Sequence, residues 1–201
     1  MNENKAIAFF DFDGTITNRD IFWDFLLYRF KNGLSPIKLF KSFPIFALYL
    51  IKIYNNEKAK QLIFSKLFKD ESVDFFKSTI QKYYRSDFNL RLRKDALTKI
   101  LWHKNSMHQV YIVTANFDLI VQQFAKKQSM KLISTQLEIE KKSVTGKFAT
   151  PNCYGEEKVN RIKKAIPNLD SFTKIYAYGD SKGDREMLAL ATDPHYCYFK
   201  K

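Results

Sequence analysis

The sequence predicts an α/β protein in which a doubly wound parallel sheet carries an inserted helical cap. Three short apolar runs have the character of strands buried on both faces: residues 7–10, 110–113 and 175–178. Apolar residues at helical spacing occupy three later segments: residues 118–129, 156–166 and 184–191. This alternation of strand and helix is typical of a Rossmann-like core.

Each predicted strand ends in acidic or hydroxyl residues. Residues 7–10 lead directly into Asp11 and Asp13, the second strand is followed by Thr114, and the third by Asp180. Ligands on such sheets lie beyond the carboxyl ends of the strands. The sequence therefore predicts one site assembled from three distant segments.

Between the first and second strands, residues 19–108 are rich in Phe and in helix-forming residues, without a clear strand. We interpret this segment as a helical cap, and residues 1–18 and 109–201 as an α/β catalytic core. The cap contains 18 Lys and Arg and 8 Asp and Glu, so it holds +10 of the chain's +13. This excess favours an anionic partner: a phosphorylated substrate, an acidic membrane or a nucleic acid.

The most apolar part of the cap is residues 34–54. Only ten uncharged residues lie between Lys41 and Lys52, against the roughly 20 that a membrane-spanning helix needs. Two interpretations stay open: a helix buried within the protein, and a helix in a membrane interface with Lys38, Lys41 and Lys52 near the headgroups. Four aromatic residues would then enter the acyl boundary: Phe40, Phe43, Phe46 and Tyr49.

Residues 135–149 predict a polar β-hairpin, because Leu137 and Ile139 alternate with charged neighbours. Thr145 and Gly146 are the expected turn.

The two cysteines of the chain are too few for a disulfide framework or a cysteine metal site. Residues 1–5 show no apolar signal core, so we expect a cytoplasmic protein. Three histidines match no metal-ligand spacing and are assigned structural roles: His103, His108 and His195.

Asp11 and Asp13 stand two residues apart just beyond a buried strand, where mutual repulsion makes the pair costly. A hard divalent cation offsets that cost, and Mg²⁺ typically binds through one or two carboxylates and a substrate phosphate. One carboxylate can then attack phosphorus, while the other protonates the leaving oxygen and later activates water. A calcium-type loop is disfavoured, because Phe22 occupies the position at which an EF-hand needs Glu.

Asp180 and Asp184 form a second acidic pair after the third strand, where they can complete a metal shell or cap a helix. Near the start of a helix, the Thr114 hydroxyl and backbone N–H groups around Ala115 can hold phosphate oxygens. Lys158 opens a basic helix. A cation of this kind is needed beside a carboxylate nucleophile, because the transition state of phosphoryl transfer spreads negative charge over oxygen atoms.

Four motifs follow one another along the chain: DFDGTIT at 11–17, VTAN at 113–116, GEEK at 155–158 and GDSKGD at 179–184. Their set and order resemble the haloacid dehalogenase (HAD) superfamily of aspartyl-phosphate phosphatases, over nearly the whole chain. A helical cap inserted after the first motif is similar to subfamily IB, the phosphoserine-phosphatase-like group. Three segments look most like its phosphatidylglycerophosphatase C branch: DFDGTITNRDIFWDFLLYRF, PIFALYLIKIYNNEKAK and CYGEEKVNRI.

This resemblance implies a phosphoric monoester hydrolase with Asp11 as nucleophile and Asp13 as general acid and base. It implies three phosphate-binding residues: Thr114, Ala115 and Lys158. It also implies Mg²⁺ held by Asp11, the Asp13 carbonyl and Asp180, with Asp184 supporting the metal shell. In the cap, Asp20 and Arg85 are the candidates for substrate specificity.

The substrate stays open between two candidates. Phosphoserine phosphatases have a glutamate soon after the first motif, where this sequence has Asp20. A basic cap with an apolar, Lys-flanked segment favours a lipid phosphomonoester, such as phosphatidylglycerophosphate, because basic residues near an anionic surface contribute about 1 kcal/mol each. Peripheral contact with the inner face of the cytoplasmic membrane would follow. The alternative is a soluble small-metabolite phosphatase of the phosphoserine phosphatase type.

A third hypothesis is a basic binding module without turnover, for nucleic acid or membrane. We do not expect a nucleic-acid partner, because no sequence signal of a known RNA-binding or zinc-knuckle module is present. A catalytically dead relative would be expected to have lost at least one of four residues, yet all four are intact: Asp11, Asp13, Lys158 and Asp180. The sequence does not indicate an oligomeric state.

Overall fold

The structure, a computed structural model, describes residues 5–54 and 56–199. The predictions that concern residues 1–4 and the side chain of Tyr49 lie outside the described residues. Seven strands form in the described part: β1 (Ala6–Phe10), β2 (Gln109–Phe117), β3 (Lys131–Thr135), β4 (Leu137–Glu140), β5 (Ser143–Phe148), β6 (Lys174–Gly179) and β7 (Asp193–Tyr196). Eight α-helices accompany them: α1 (Ile21–Lys31), α2 (Pro36–Leu50), α3 (Asn56–Phe68), α4 (Val73–Ser86), α5 (Lys94–Asn105), α6 (Asp118–Lys127), α7 (Glu156–Ala165) and α8 (Arg185–Leu190).

Five of the strands form one parallel sheet in the order β3-β2-β1-β6-β7. The α/β fold class predicted from the sequence, with a doubly wound parallel sheet, is therefore confirmed. The central strand β1 is buried along its whole length, as its continuous apolar run predicts. The edge strands β3 and β7 were not predicted, because each has one partner and neither is buried along its whole length: β3 begins at the exposed Lys131, and β7 has no buried residue.

The two faces of the sheet are covered by different helices. Ile7 and Phe9 of β1 pack in one apolar cluster with residues of α7 and α8, while Ala8 and Phe10 pack in the other cluster with α5 and α6. Successive side chains of a strand point to opposite faces, so β1 alone contributes to both layers. This arrangement leaves the carboxyl ends of β1, β2 and β6 side by side.

Helices α1, α3 and α4 contribute an aromatic group to the same apolar cluster that contains Ala8 and Phe10 of β1. Phe25, Phe64, Phe68 and Phe76 are fully buried and meet at ring-centroid distances of 5.2–6.2 Å. Burial of aromatic rings of this size dominates the stability of small cores. The Phe-rich composition of the cap is therefore explained by its own packing.

The chain enters and leaves the cap through two hydrogen-bonded segments. Asn18 N–H donates to the Arg91 carbonyl (2.8 Å), and Arg93 N–H donates to the Ile16 carbonyl (2.9 Å). Helix α5, which follows, packs against the sheet. The division into a core of residues 1–18 and 109–201 and a cap of residues 19–108 stays a prediction.

Helix α2 lies within the apolar segment 34–54. One side of it is packed, with Ser42 and Ile45 buried, whereas Phe40 and Phe43 are exposed. Phe46 is half-buried against Trp23, at a centroid distance of 6.0 Å. Within the described residues, no helix combines the length and the apolar character needed to cross a membrane.

The hairpin predicted at residues 135–149 is present as antiparallel β4 and β5. The predicted turn at Thr145 and Gly146 is wrong. Pairing of Glu140 with Ser143 closes a two-residue turn at Lys141 and Lys142, which adopt φ values of 47° and 63°.

Gly146 instead lies inside β5, close to α3. A Cβ atom on Gly146 would stand 2.9 Å from Ser65 Cα, so glycine allows the hairpin to approach the cap. Backbone hydrogen bonds join the hairpin to the segment between α3 and α4: Asp70 N–H to Val144 O, Val144 N–H to Glu71 O, and Val73 N–H to Lys142 O. The cap is thus attached to the core side of the chain at a second place.

The three histidines meet beside β6, although His195 is far along the chain from His103 and His108. His103 Nδ1 lies 2.8 Å from His108 Nδ1, and His103 Nε2 lies 3.0 Å from the Tyr178 hydroxyl. The His195 ring stacks on Tyr178 at 4.6 Å. Burial lowers the pKa of His103 to about 3, and it also lowers the pKa values of His108 and His195.

Candidate active site

The first acidic motif lies on a wide turn that follows β1. Thr17 N–H donates to the Phe12 carbonyl (3.0 Å), and Gly14 adopts a φ of 86°. A Cβ atom on Gly14 would stand 2.4 Å from Asp180 Oδ2, so only glycine allows this approach of the turn to the end of β6. Thr15 Oγ1 donates to Asp180 Oδ1 (3.2 Å) from the same turn.

Lys158, in the first turn of α7, is almost fully buried beside the first motif. Its Nζ donates to Asp11 Oδ1 (2.7 Å), Asp184 Oδ1 (2.6 Å) and the Val113 carbonyl (2.8 Å). Burial alone would lower the pKa of Lys158, but the carboxylates of Asp11 and Asp184 raise it well above its usual value. Lys158 is therefore a fixed cation at the centre of the site.

Asp11 lies at the end of β1 and is buried, with its backbone N–H donating to the Tyr178 carbonyl (2.9 Å). Burial raises the pKa of Asp11 well above its usual value, and the nearby Asp184 carboxylate raises it further, while Lys158 opposes both effects. Several carboxylates around one lysine leave an excess of negative charge. A bound cation would remove that excess.

Asp11, Asp180 and Asp184 are close enough to share one metal ion, because one oxygen atom from each lies within 4.8 Å of the others. Carboxylate oxygens are hard ligands of the kind that Mg²⁺ prefers. The donor set therefore fits a divalent cation. Asp184 is also held in place, since its Oδ2 accepts from the Ser181 hydroxyl (2.7 Å) and the Ser181 N–H (2.9 Å).

Asp13 has a different set of partners from Asp11. Its Oδ1 accepts the Ile21 N–H (2.8 Å), and Asn116 Nδ2 donates to both of its oxygens (3.1 and 2.9 Å). Burial, followed by the Asp20 carboxylate, raises the pKa of Asp13 to about 7. A carboxylic acid with such a pKa can both release and accept a proton near neutral pH.

The VTAN motif lies in the second half of β2 and bends the strand, with a shift of register between Thr114 and Phe117. Thr114 is buried, and its Oγ1 accepts the Asn116 N–H (3.0 Å). The Ala115 carbonyl accepts the Thr135 hydroxyl (3.0 Å). The structure thus places Thr114 and Ala115 between Lys158, which contacts Val113, and Asn116, which contacts Asp13.

Asp20, the first of the two cap candidates, lies close to this site. Its Oδ1 caps α1 by accepting the N–H groups of Phe22 and Trp23, and its Oδ2 lies 2.5 Å from Lys60 Nζ. Burial would lower the pKa of Lys60, but the carboxylates of Asp20 and Asp13 raise it. Helix α3 therefore supplies a buried cation next to Asp13.

Arg85, the second cap candidate, is not brought to the site. It is exposed on α4 and lines a surface groove between α4 and α6, with Lys77 and Lys126 also at its edge. Among the described residues, no hydrogen bond or ion pair joins Arg85 to the carboxylates of Asp11 and Asp13.

Comparison with known proteins decides the family. The family model described as haloacid dehalogenase-like hydrolase matches residues 8–189. The chain belongs to this family. Within it, the chain is 30% identical to protein CicA of Caulobacter vibrioides, in an alignment that covers the whole chain and 89% of that protein.

Solved structures share the fold of this HAD chain. A protein of unknown function from Bordetella pertussis Tohama I aligns with a TM-score of 0.80 and 20% identity, over 94% of this chain and 88% of that one. A structure described as a phospho-aspartyl intermediate analogue of phosphoserine phosphatase aligns with a TM-score of 0.60 and 21% identity, over 94% of this chain and 84% of that one. At these identities the likeness concerns the fold alone.

Sequence reasoning did not identify two residues of this HAD site, Asn116 and Lys60. Asn116 belongs to the VTAN motif after a predicted strand, so its position pointed to the site, but its contact with Asp13 depends on the bend in β2. Lys60 is one of 34 basic residues, and although it ends the segment PIFALYLIKIYNNEKAK, nothing in that segment assigned it a role. Only the packing of α3 reveals its contact with Asp20.

Proposed function

We propose that this HAD hydrolase is a Mg²⁺-dependent phosphomonoesterase that works through an aspartyl phosphate on Asp11. One observation carries the proposal. Lys158 Nζ contacts Asp11 Oδ1 at 2.7 Å across 147 positions of the chain, while Asp13, two residues further on, is held by Asn116 and the Ile21 N–H. Two neighbouring carboxylates in different environments are suited to different chemical roles.

In the first step, an oxygen of Asp11 attacks the phosphorus of the substrate. A bond forms between that oxygen and phosphorus, and the bond from phosphorus to the ester oxygen breaks. Asp13, protonated at that stage, gives its proton to the leaving oxygen, so an alcohol departs. The pKa of about 7 for Asp13 supports this role, because the acid form is well populated at neutral pH.

In the second step, Asp13 accepts a proton from water, and the water oxygen attacks the phosphorus of the aspartyl phosphate. The bond between phosphorus and Asp11 breaks, so the enzyme is regenerated and inorganic phosphate leaves. Lys158 and the groups around Thr114 and Ala115 would hold the phosphate oxygens in both steps. A fixed cation beside the reacting oxygens stabilises the charge that they carry in the transition state.

Asp11, the Asp13 carbonyl and Asp180 would hold the Mg²⁺ ion, and Asp184 would support them. When bound, the ion neutralises negative charge on the phosphoryl oxygens and on the carboxylates. The cluster of Asp11, Asp180 and Asp184 supports this assignment. The proposal includes subfamily IB, which the helices inserted after the first motif support.

We propose a lipid phosphomonoester, such as phosphatidylglycerophosphate, as the substrate, in line with the phosphatidylglycerophosphatase C branch. The contacts of Asp20, which stands near the position of the glutamate in phosphoserine phosphatases, support this choice over phosphoserine. One of its oxygens caps α1 and the other pairs with Lys60, so both are already engaged within the protein. The basic cap favours an anionic substrate surface. The enzyme would act at the cytoplasmic face of the membrane, and the free thiols of Cys153 and Cys197 fit a reducing compartment.

Phosphate release with Mg²⁺ tests the proposal, using phosphatidylglycerophosphate in mixed micelles and phosphoserine in solution. We expect faster release from the lipid, and we expect Asp11→Asn to abolish release from either substrate. A hydroxylamine-sensitive phosphoryl group, trapped by acid quench on Asp11 of the wild type, would identify the intermediate. Asp74→Asn, an exposed carboxylate on α4, is the control and should retain full activity.

Three outcomes contradict parts of this proposal. Preference for phosphoserine would assign the chain to small-metabolite chemistry of the phosphoserine phosphatase type. Turnover that survives in Asp11→Asn would exclude Asp11 as nucleophile. No Mg²⁺-dependent release from any phosphomonoester, together with polynucleotide binding that weakens steeply with salt, would favour the non-catalytic binding module.

A further inference from the structure

Six large apolar side chains are exposed together on α2 and on the turn that follows it. They form the apolar cap surface: Ile37, Phe40, Phe43, Leu50, Ile51 and Ile53. Phe40 is 81% exposed and Leu50 is 76% exposed, so these side chains are not parts of a core that reach the surface incidentally. Contiguous exposed apolar patches mark interaction sites.

The helical positions show why this surface is continuous. Residues 37, 40, 43, 47 and 50 recur every three or four positions, so they form one stripe along the length of α2. The opposite side of the helix is packed, with Ser42 and Ile45 buried. A helix that has apolar residues on two opposite sides normally has apolar surroundings on both. For α2 the protein supplies these surroundings on the packed side only.

The stretch of chain that contains α2 contributes charges of one sign only, although Asp70 and Glu71 of a later segment lie near Lys38. Residues 25–56 contain five basic residues and no Asp or Glu: Arg29, Lys31, Lys38, Lys41 and Lys52. Arg29 is buried in a bidentate pair with Glu71, while Lys41 and Lys52 are exposed beside the apolar side chains. Lys38 is exposed as well, although its Nζ donates to the Leu67 carbonyl (3.1 Å).

We infer that the apolar cap surface binds an anionic lipid bilayer, with α2 lying in the plane of the interface. The apolar stripe enters the acyl boundary, and Lys41 and Lys52 contact anionic headgroups. A second copy of this chain fits less well, because two such surfaces would bring lysines of like charge together. The inference does not depend on the proposed reaction, since binding needs no turnover.

The chain leads from the apolar cap surface into α3, the helix that carries Lys60. Residues 50–53 precede the first residue of α3 by three to six positions, and Lys60 is four residues into that helix, about 6 Å of helix rise from its first residue. Lys60 in turn contacts Asp20 beside Asp13. A bilayer bound at the apolar cap surface would therefore contact a segment only a few residues before the helix whose Lys60 lies beside Asp20.

Vesicle flotation tests the inference on Asp11→Asn protein, which separates binding from turnover. We expect binding to vesicles of phosphatidylcholine with an equal share of phosphatidylglycerol, and much weaker binding to phosphatidylcholine alone. Phe40→Ser with Phe43→Ser keeps the charge and removes two exposed rings, so partitioning should fall on the order of tenfold or more. Leu90→Ser with Met107→Ser is the matched control, because both side chains are exposed elsewhere.

Lys41→Gln with Lys52→Gln should remove most of the preference for anionic vesicles, at about fivefold for each lysine. Equal binding by wild type and Phe40→Ser/Phe43→Ser would overturn the inference, because the overall charge of +13 would then account for the binding. Absence of flotation in the wild type, with a dimer in light scattering that the same double variant dissociates, would overturn it in favour of self-association.

Discussion

Lys60 Nζ lies 2.5 Å from Asp20 Oδ2, and this ion pair stands beside the carboxylate of Asp13. Lys60 lies in α3, and Asp20 is the residue at the N-terminus of α1 whose side chain accepts its first N–H groups. The contact therefore joins helices α1 and α3. The two charges act on Asp13 in opposite directions: Asp20 raises its pKa and Lys60 lowers it. The cap thus takes part in setting the proton affinity of a core residue.

We predict that Lys60→Met and Asp20→Asn shift the pH dependence of turnover in opposite directions. Loss of Lys60 raises the pKa of Asp13, so the acid form persists to higher pH and the alkaline limb of kcat/KM moves upward. Asp20→Asn moves it downward, and the double variant returns towards the wild type. Lys66→Met, an exposed lysine on the same helix, is the control. Identical profiles for the wild type and both single variants would contradict the prediction.

Asn116 is predicted to orient Asp13 through its two hydrogen bonds. Asn116→Ala should lower kcat about tenfold or more with little change in KM, because a carboxyl group that keeps only the Ile21 N–H is less well oriented and transfers a proton less efficiently. The loss should be larger for an alkyl phosphate than for p-nitrophenyl phosphate, whose leaving group needs no proton. The exposed Asn160→Ala serves as control. An equal loss with both substrates would argue against a role in proton transfer.

Lys158→Met is predicted to destabilise the protein by about 3–5 kcal/mol at neutral pH, because it leaves two buried carboxylates without their cation. Lys163→Met, an exposed lysine on the same helix, should change stability by less than about 0.5 kcal/mol. Urea unfolding measures both values. Adding Asp184→Asn to Lys158→Met should recover part of the loss. If Lys158→Met is as stable as the wild type, the buried ion pairs contribute little.

Gly14 and Gly33 form a matched pair, since both have positive φ values, 86° and 98°. A Cβ atom on Gly33 meets nothing within 4 Å, whereas one on Gly14 meets the Asp180 carboxylate. Gly33→Ala should therefore cost only backbone strain, about 1–2 kcal/mol in unfolding free energy. Gly14→Ala should also displace Asp180 and raise the Mg²⁺ concentration needed for half-maximal activity. Unchanged Mg²⁺ dependence in Gly14→Ala would count against Asp180 as a ligand.

His103 should make the protein sensitive to acid. Its pKa is lowered to about 3 by burial and then by His108, against about 6.5 in an unfolded chain. The neutral form is therefore favoured in the folded state. Between about pH 6.5 and pH 3 the unfolded chain therefore binds a proton at this residue and the folded protein does not. The free energy of unfolding falls across this interval as the pH is lowered, by up to about 1.4 kcal/mol for each pH unit.

His103→Gln should make the unfolding free energy depend less steeply on pH between 6 and 4. Urea unfolding across that interval measures the slope, which is informative even if the variant is less stable overall. Parallel lines for variant and wild type would show that His103 does not take up the proton.

The sequence alone predicted the features that local pattern controls. Continuous apolar runs identified the three inner strands, since a strand covered on both faces needs apolar residues throughout. The edge strands β3 and β7 escaped prediction because half-exposed strands have no such run. The hairpin turn was misplaced, because Gly146 was interpreted as a turn residue when it serves the close approach of β5 to Ser65.

For the site, the motifs predicted which segments meet, because parallel strands bring their carboxyl ends to one edge of the sheet. Asp11, Asp13, Lys158, Asp180 and Asp184 could therefore be named from sequence. The tertiary structure alone decided what depends on distance and burial: the pairing of Lys60 with Asp20, the orientation of Asp13 by Asn116 and the position of Arg85 away from the site. Such contacts join residues whose spacing has no period, and burial sets their charges only once the chain has packed.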